Sequence, residues 1–308
     1  MNRTLRGVTA AALTLGLVTG VVACSGSSST PAPSNSNSTS SSPSTQITGS
    51  GTVKVLYAGS LVDLMEKQVG PTFQAKTGFS YQGTGAGSSA LATQIKGKTT
   101  KADVFISASP DVNATLEGAA NGDWVSWYAT FASSRLVIGY DPKSSFASQL
   151  KSKPWYEVIG QTGFRFGSTD AQLDPKGKLG NKALDDAATK HDQPALAALA
   201  KDFTATQPEE SLVGRLQAGQ LDAAFFYASE AKAAGIPTVP LTGEDLKAVY
   251  TITELSHAPD AKGGQAFIQY LLGPSGTATL KKNGFDVSTP ATVTGSGVPK
   301  TLSSVLGK

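Results

Sequence analysis

Short β-rich runs alternate with helical patterns from Thr52 to Asn283. That alternation confines the chain to an α/β fold with mainly parallel sheets flanked by helices. The spacing predicts strands over Thr52–Tyr57, Phe79–Gln82, Asp103–Ser107, Leu136–Tyr140, Arg165–Gly167, Asp222–Tyr227, Ile236–Pro240 and Val249–Leu255. It predicts helices over Leu61–Ala75, Ser89–Lys96, Asp111–Ala119, Lys178–Lys190, Pro194–Asp202, Glu209–Ala218, Gly263–Leu272 and Ser275–Asn283. No repeat of fixed period is visible. From about Gly51 to Lys308 the chain is long enough to bury a core, as one large domain or as two lobes.

The N-terminus reads as an export signal. Arg3 and Arg6 give a positive start, Val8 to Val22 an apolar stretch, and the small Ala23 precedes Cys24. The stretch is short for a membrane span, and no charged residue follows it until Lys54. Val21-Val22-Ala23-Cys24 resembles the lipobox of bacterial lipoproteins, with Val21 where that family prefers Leu. The resemblance implies a signal peptide over residues 1–23 and lipid on Cys24, the only cysteine of the chain. An ordinary signal with an incidental cysteine is the plainer reading. Residues 24–50, rich in Ser, Thr, Pro and Asn, have too little apolar surface to offset their ordering entropy and read as a flexible tether.

Composition removes several function classes. Without Arg3 and Arg6, the 26 Lys and Arg become 24 against 23 Asp and Glu, which gives no global field for nucleic acid. A single cysteine excludes a disulfide within the exported domain and any cysteine-based zinc site. His191 and His257, the only histidines, lie far apart in sequence, against a multi-histidine metal site. No cofactor is expected. Neither a phosphate loop nor a G-x-S-x-G elbow is present: Ala92 stands where the loop ending Gly97-Lys98-Thr99 needs a glycine.

Three strand-to-helix junctions bear on function. They are Tyr57-Ala58-Gly59-Ser60, Gly83-Thr84-Gly85-Ala86-Gly87-Ser88-Ser89, and Glu209-Glu210-Ser211. Each leaves unpaired N–H groups at the positive end of a helix, and serine hydroxyls add donors. At the carboxyl ends of strands in an α/β sheet, such turns converge into an oxyanion site without any Lys or Arg. Each serine taken alone is equally a plain helix cap.

These residues resemble the molybdate/tungstate-binding proteins of ABC importers. The likeness runs through Val55-Leu56-Tyr57-Ala58-Gly59-Ser60-Leu61, Ala86-Gly87-Ser88-Ser89-Ala90-Leu91 and Lys101-Ala102-Asp103-Val104-Phe105-Ile106-Ser107-Ala108-Ser109. It continues in Gly167-Ser168-Thr169-Asp170, Leu173-Asp174-Pro175 and Gly219-Gln220-Leu221-Asp222-Ala223-Ala224-Phe225-Phe226-Tyr227. It implies a two-lobed periplasmic-binding-protein fold of type II. Residues 51–135 with 245–308 would form one lobe and 136–244 the other. It implies that Ser60, Ser88 and Tyr227 donate to the anion, with backbone N–H groups near Asp174 and from Glu209 through Glu210 to Ser211 completing the cage. It also implies a monomeric, non-enzymatic receptor that delivers molybdate or tungstate to an ABC permease.

The sequence departs from the family at one place. Two carboxylates approach the metal in the archaeal-like tungstate binders. Asp174 matches the first, but Phe226 stands where the second would be. A hydrogen-bonded tetrahedral anion is therefore expected, and Asp174 is either a ligand or a cap beside Pro175. A receptor for sulfate or phosphate remains open at this stage, as does an exported hydrolase built on one of these serines.

Overall fold

Tyr57 sets the geometry of the first two strands. β1 (Thr52–Ala58) pairs in parallel with β2 (Ser80–Ala86), bringing Val55 opposite Gly83 and Tyr57 opposite Gly85. A Cβ on Gly83 would lie 2.8 Å from the Tyr57 ring, and one on Gly85 2.7 Å from it. The two glycines therefore make room for a buried ring within an extended strand. The glycine run expected to be a turn is strand as far as Ala86, and the turn shrinks to Gly87. The Tyr57 hydroxyl donates to Glu66, which sits in a π-helical turn (Met65–Val69) of the helix that follows β1.

The computed structural model describes residues 46–202 and 206–307. The signal, Cys24 and most of the tether lie outside the described residues. The remaining strands are β3 (Val104–Ser107), β4 (Trp127–Tyr140), β5 (Phe166–Gly167), β6 (Ala223–Tyr227), β7 (Thr238–Pro240), β8 (Lys247–Glu254) and β9 (Asp286–Gly295). Their order is β2-β1-β3-β8-β4-β6-β5, with β7 and β9 each pairing with β4. The helices of the first half are α1 (Val62–Leu64), α2 (Gly70–Thr77), α3 (Ser88–Lys96), α4 (Pro110–Ala114) and α5 (Ala147–Ser152). Those of the second half are α6 (Pro175–Lys190), α7 (Pro194–Leu199), α8 (Leu212–Gln217), α9 (Ala228–Ala233), α10 (Ala261–Leu272), α11 (Pro274–Lys282) and α12 (Ser303–Leu306).

The α/β class holds, but the sheets are mixed rather than mainly parallel. Between the named strands parallel pairing occurs in β1–β2, β1–β3 and β5–β6, while β4 and β8 pair antiparallel with every partner. The reason is β4, of which only Leu136–Tyr140 was legible in the sequence. Up to Arg135 it pairs with β8, and from Leu136 it pairs with β6, so one strand threads two sheets. β9, absent from the sequence expectations, covers the first part of β4. Its inward pattern is weak, with Ala291 its one fully buried residue.

The core lies between the sheets and the helices. α10 buries Ala266, Phe267, Ile268 and Leu271, and the Phe73 ring meets Phe267 edge-on at 5.2 Å. Burying a side chain of this size contributes about 1.5–3 kcal/mol. Among the described residues no helix is long and apolar enough to cross a membrane.

Candidate functional site

Asp174 starts α6 in the way its sequence dictates. Its side chain accepts from the Lys176 N–H at 3.0 Å, and Pro175 fills the first helical position, where a missing N–H costs nothing. Asp174 is thus a cap. It is also buried in the wall of a cavity of about 270 Å³ that it shares with Gly87, Leu173, Glu209 and Glu210. Its second oxygen, Oδ2, lacks a well-formed hydrogen bond, with the Thr169 hydroxyl beside it. Larger hollows of 360 and 470 Å³ occur elsewhere, around Pro142 and around Ser126. Neither is lined by a buried polar side-chain atom without a partner, so chemistry rather than size selects the smaller cavity.

Of the expected residues Asp174 and Glu210 line this cavity, while Ser60 and Ser88 follow Gly59 and Gly87, which pack against its residues Glu209 and Asp174. Ser60 follows β1 at the start of a short 3-10 turn (Gly59–Leu61); it is buried, and its Oγ lies 3.1 Å from the Tyr250 hydroxyl. Ser88 opens α3, fully buried, its Oγ accepting from the Ala108 N–H at 3.1 Å with its own proton free to donate. Tyr227 ends β6 with a buried hydroxyl that has no hydrogen-bond partner. Burial holds that phenol well above its ordinary pKa, so it is a donor at any physiological pH. The third junction behaves differently. Glu210 is exposed, though on the cavity rim, and the Ser211 hydroxyl turns back to donate to Pro208 O at 2.8 Å.

Two segments close over the cavity. The Ala90 N–H, one of the unpaired donors of the first turn of α3, donates to Leu173 O at 3.0 Å. A Cβ on Gly87 would lie 2.5 Å from that same carbonyl oxygen, so only glycine lets the two chains approach.

Beside the cavity lies a buried charge cluster that sequence reasoning missed. Lys176 is fully buried, with Nζ 2.9 Å from Glu230 and 3.3 Å from Glu209, and its ammonium lies 5.4 Å from the centroid of the Tyr227 ring. Glu209 is only 2% exposed, and neither of its oxygens makes a hydrogen bond. The expected site lacked any Lys or Arg; the structure adds a buried Lys176 next to the cavity, already paired with Glu230. One signal was available: Lys176 sits in the first turn of a helix, against the macrodipole, which calls for acidic partners from elsewhere in the chain.

Residues 53–286 match the model of a family described as bacterial extracellular solute-binding protein. The chain belongs to that family. A putative ABC transporter molybdenum-binding protein of Haloferax volcanii is 30% identical over 209 residues, 67% of this chain and 63% of its own length. The molybdate/tungstate-binding protein WtpA of Pyrococcus abyssi is 23% identical over 318 residues, covering 84% and 91%. Among solved structures, the periplasmic molybdate-binding protein of Azotobacter vinelandii superposes with a TM-score of 0.57. It is 18% identical and covers 77% of this chain and 99% of its own. That likeness establishes the periplasmic-binding-protein fold.

Both histidines of this solute-binding protein pack against aromatic rings. His191 stacks on Tyr156 at 3.7 Å, and His257 packs edge-on against Trp124 at 4.9 Å. Among the described residues no group of three or more acidic, histidine or cysteine side chains is placed to hold a metal ion.

The charge cluster gives the receptor a pH signature. Burial, and then the charge of Glu209, push Asp174 up to about 8 from 3.8. Burial pushes Glu230 up to about 7 from 4.5, with Lys176 opposing. Burial alone would lower Lys176, but Glu230, Glu209 and Asp174 outweigh it and raise the ammonium further, so it stays charged. Between the unfolded and folded carboxylate values the folded protein keeps protons that the unfolded chain has released. Stability therefore falls as pH rises through that window. The melting temperature of ligand-free protein is expected to drop by several degrees from about pH 5 to about pH 8. Thermal unfolding in a pH series checks this, and a midpoint that rises over the window would contradict the protonation assigned to Asp174 and Glu230.

Proposed function

We propose that this solute-binding protein captures molybdate or tungstate outside the cell and delivers it to an ABC permease. The observation that carries the reading is the buried Tyr227 hydroxyl left without a partner, with the buried Ser60 and Ser88 following Gly59 and Gly87, which pack against the cavity residues Glu209 and Asp174. A buried hydroxyl without a partner costs free energy unless a ligand satisfies it. The names of the Haloferax and Pyrococcus relatives support the same ligand class.

Asp174 bears on which oxyanion is taken. Raised to about 8, it holds a proton at neutral pH and acts as a donor. A donor suits a fully deprotonated oxyanion such as molybdate, tungstate or sulfate. Hydrogen phosphate needs an acceptor instead.

In this reading β4 is the hinge between two lobes, 51–135 with 245–308 and 136–244. Its change of partner at Arg135 and Leu136 supports that division. Donors from both lobes meet the anion only in the closed state, so ligand favours closure. Lipid on Cys24 and the uncharged tether would hold a monomeric receptor near its permease and raise its effective concentration there. No chemistry is done on the ligand.

Calorimetric titration with molybdate, tungstate, sulfate and phosphate tests the reading, and silence toward all four would sink it. A Ser60→Ala, Ser88→Ala double variant is expected to lose roughly a hundredfold or more in molybdate affinity, since hydrogen bonds to a charged group contribute about 1.5–3 kcal/mol each. Normal binding by that variant would remove both serines from the site.

A further inference from the structure

β8 carries the run Val249-Tyr250-Thr251-Ile252-Thr253, aromatic and β-branched throughout, and lies between β3 and β4 in the sheet. Tyr250 is fully buried there, opposite Ala132 of β4. Its ring meets Phe285 at 5.3 Å, Tyr227 at 6.1 Å and Phe131 at 6.4 Å. Packing alone would be served by a phenylalanine, which brings no hydroxyl to satisfy. The phenol oxygen therefore has a purpose beyond filling the core.

That oxygen is hydrogen-bonded to Ser60 Oγ at 3.1 Å. The Ser229 hydroxyl lies beside it without a well-formed hydrogen bond. Burial holds the phenol well above its ordinary pKa, so Tyr250 keeps its proton. Of the two hydroxyls in the pair, the phenol is the stronger acid and hence the better donor, which makes Ser60 Oγ the acceptor. A serine has one hydroxyl proton, and accepting through its oxygen leaves that proton free to be given elsewhere. A hydroxyl that accepts is also polarised into a stronger donor. Ser88 is arranged in the same way, its oxygen engaged by the Ala108 N–H. In both serines a donor of the protein takes the oxygen, and the proton is what remains to offer.

We propose that Tyr250 is a positioning residue of the oxyanion site, donating to Ser60 Oγ so that the Ser60 proton is directed to the ligand. The inference rests on the oxyanion-receptor reading and extends it to a group that does not itself touch the anion. With the Tyr250 proton in place, the orientation of the Ser60 hydroxyl is settled when the chain folds. Without it the hydroxyl is a free rotor, and ordering it is a cost that falls on binding.

The test is a double-mutant cycle: the full-length chain is titrated with sodium molybdate as wild type, Tyr250→Phe, Ser60→Ala and both together. Tyr250→Phe keeps the ring and its aromatic contacts, so the variant is expected to fold. It is expected to weaken molybdate binding about threefold to tenfold, the scale of one neutral hydrogen bond. In the Ser60→Ala background the same substitution is expected to change affinity by less than about twofold, because the oxygen it positions is gone. A purely structural role for the phenol would instead lower affinity by the same factor in both backgrounds. Unchanged or tighter binding by Tyr250→Phe, or a loss that persists undiminished beside Ser60→Ala, overturns the proposal while the receptor reading stands. Wild-type binding by Ser60→Ala removes Ser60 from the site and overturns the proposal with it. Silence of the wild type toward molybdate, tungstate, sulfate and phosphate overturns both.

Discussion

Gly87→Ala is expected to weaken molybdate binding by about tenfold to a hundredfold while leaving the protein folded. The added methyl would meet Leu173 O at 2.5 Å and Asp174 Cβ at 3.1 Å. The first of these contacts is with backbone, which cannot swing aside. Relief requires the segment before α6 to draw back from α3, breaking the Ala90–Leu173 hydrogen bond and shifting Asp174 with it. Forcing a methyl group into a packed contact costs about 1–3 kcal/mol. Under the two-lobed reading that cost falls on the closed state alone, so it appears in affinity rather than in unfolding. Gly87 has φ −53 and ψ 131, ordinary for alanine, so no backbone strain obscures the result. Calorimetry with a parallel melting curve measures it. Wild-type affinity in the variant would mean that ligand binding does not bring α3 and Leu173 this close.

Lys176→Met is expected to be the most destabilising single substitution in the site. It leaves Glu230 and Glu209 buried without a cation, and breaking a buried pair by removing one partner costs about 3–5 kcal/mol. Glu230, already pushed up to about 7, can take a proton and moderate the loss, so the penalty grows as pH rises. Denaturant unfolding near pH 6 and near pH 8 reads both effects. Replacing Glu230 with Leu at the same time should recover most of the loss, because an apolar pair of similar volume is often neutral or better. A single variant as stable as wild type would show that the cluster bears little charge in the folded protein.

The sequence made the fold class and the candidate residues legible for local reasons. Ser60, Ser88 and Asp174 each stand at a helix start, where small polar residues are favoured, but only Asp174 caps through its side chain; Ala58 and Gly87 take the cap positions expected of the two serines. Tyr227 was legible through its place at the end of a short apolar strand, within a motif shared with known receptors. The mixed character of the sheets was not legible, because β4 owes its length to two different partners rather than to its own pattern. β9 was hidden for the same reason: half-exposed, it is a strand only because β4 lies beside it.

The charges beside the cavity belong wholly to tertiary structure. By itself the sequence determined the strand and helix alternation, the Asp174 cap, and the serine and tyrosine candidates, since each depends on neighbours a few residues away. Only the fold decided that Lys176, Glu209 and Glu230 would be buried together. They come from α6, a short turn and α9, and no periodicity links positions so far apart. A lone Lys, Glu or Asp reads as surface until the chain removes it from water. Whether such a group is a solvated charge or one half of an ion pair depends on which distant group lies within about 3 Å of it. Folding alone sets that distance.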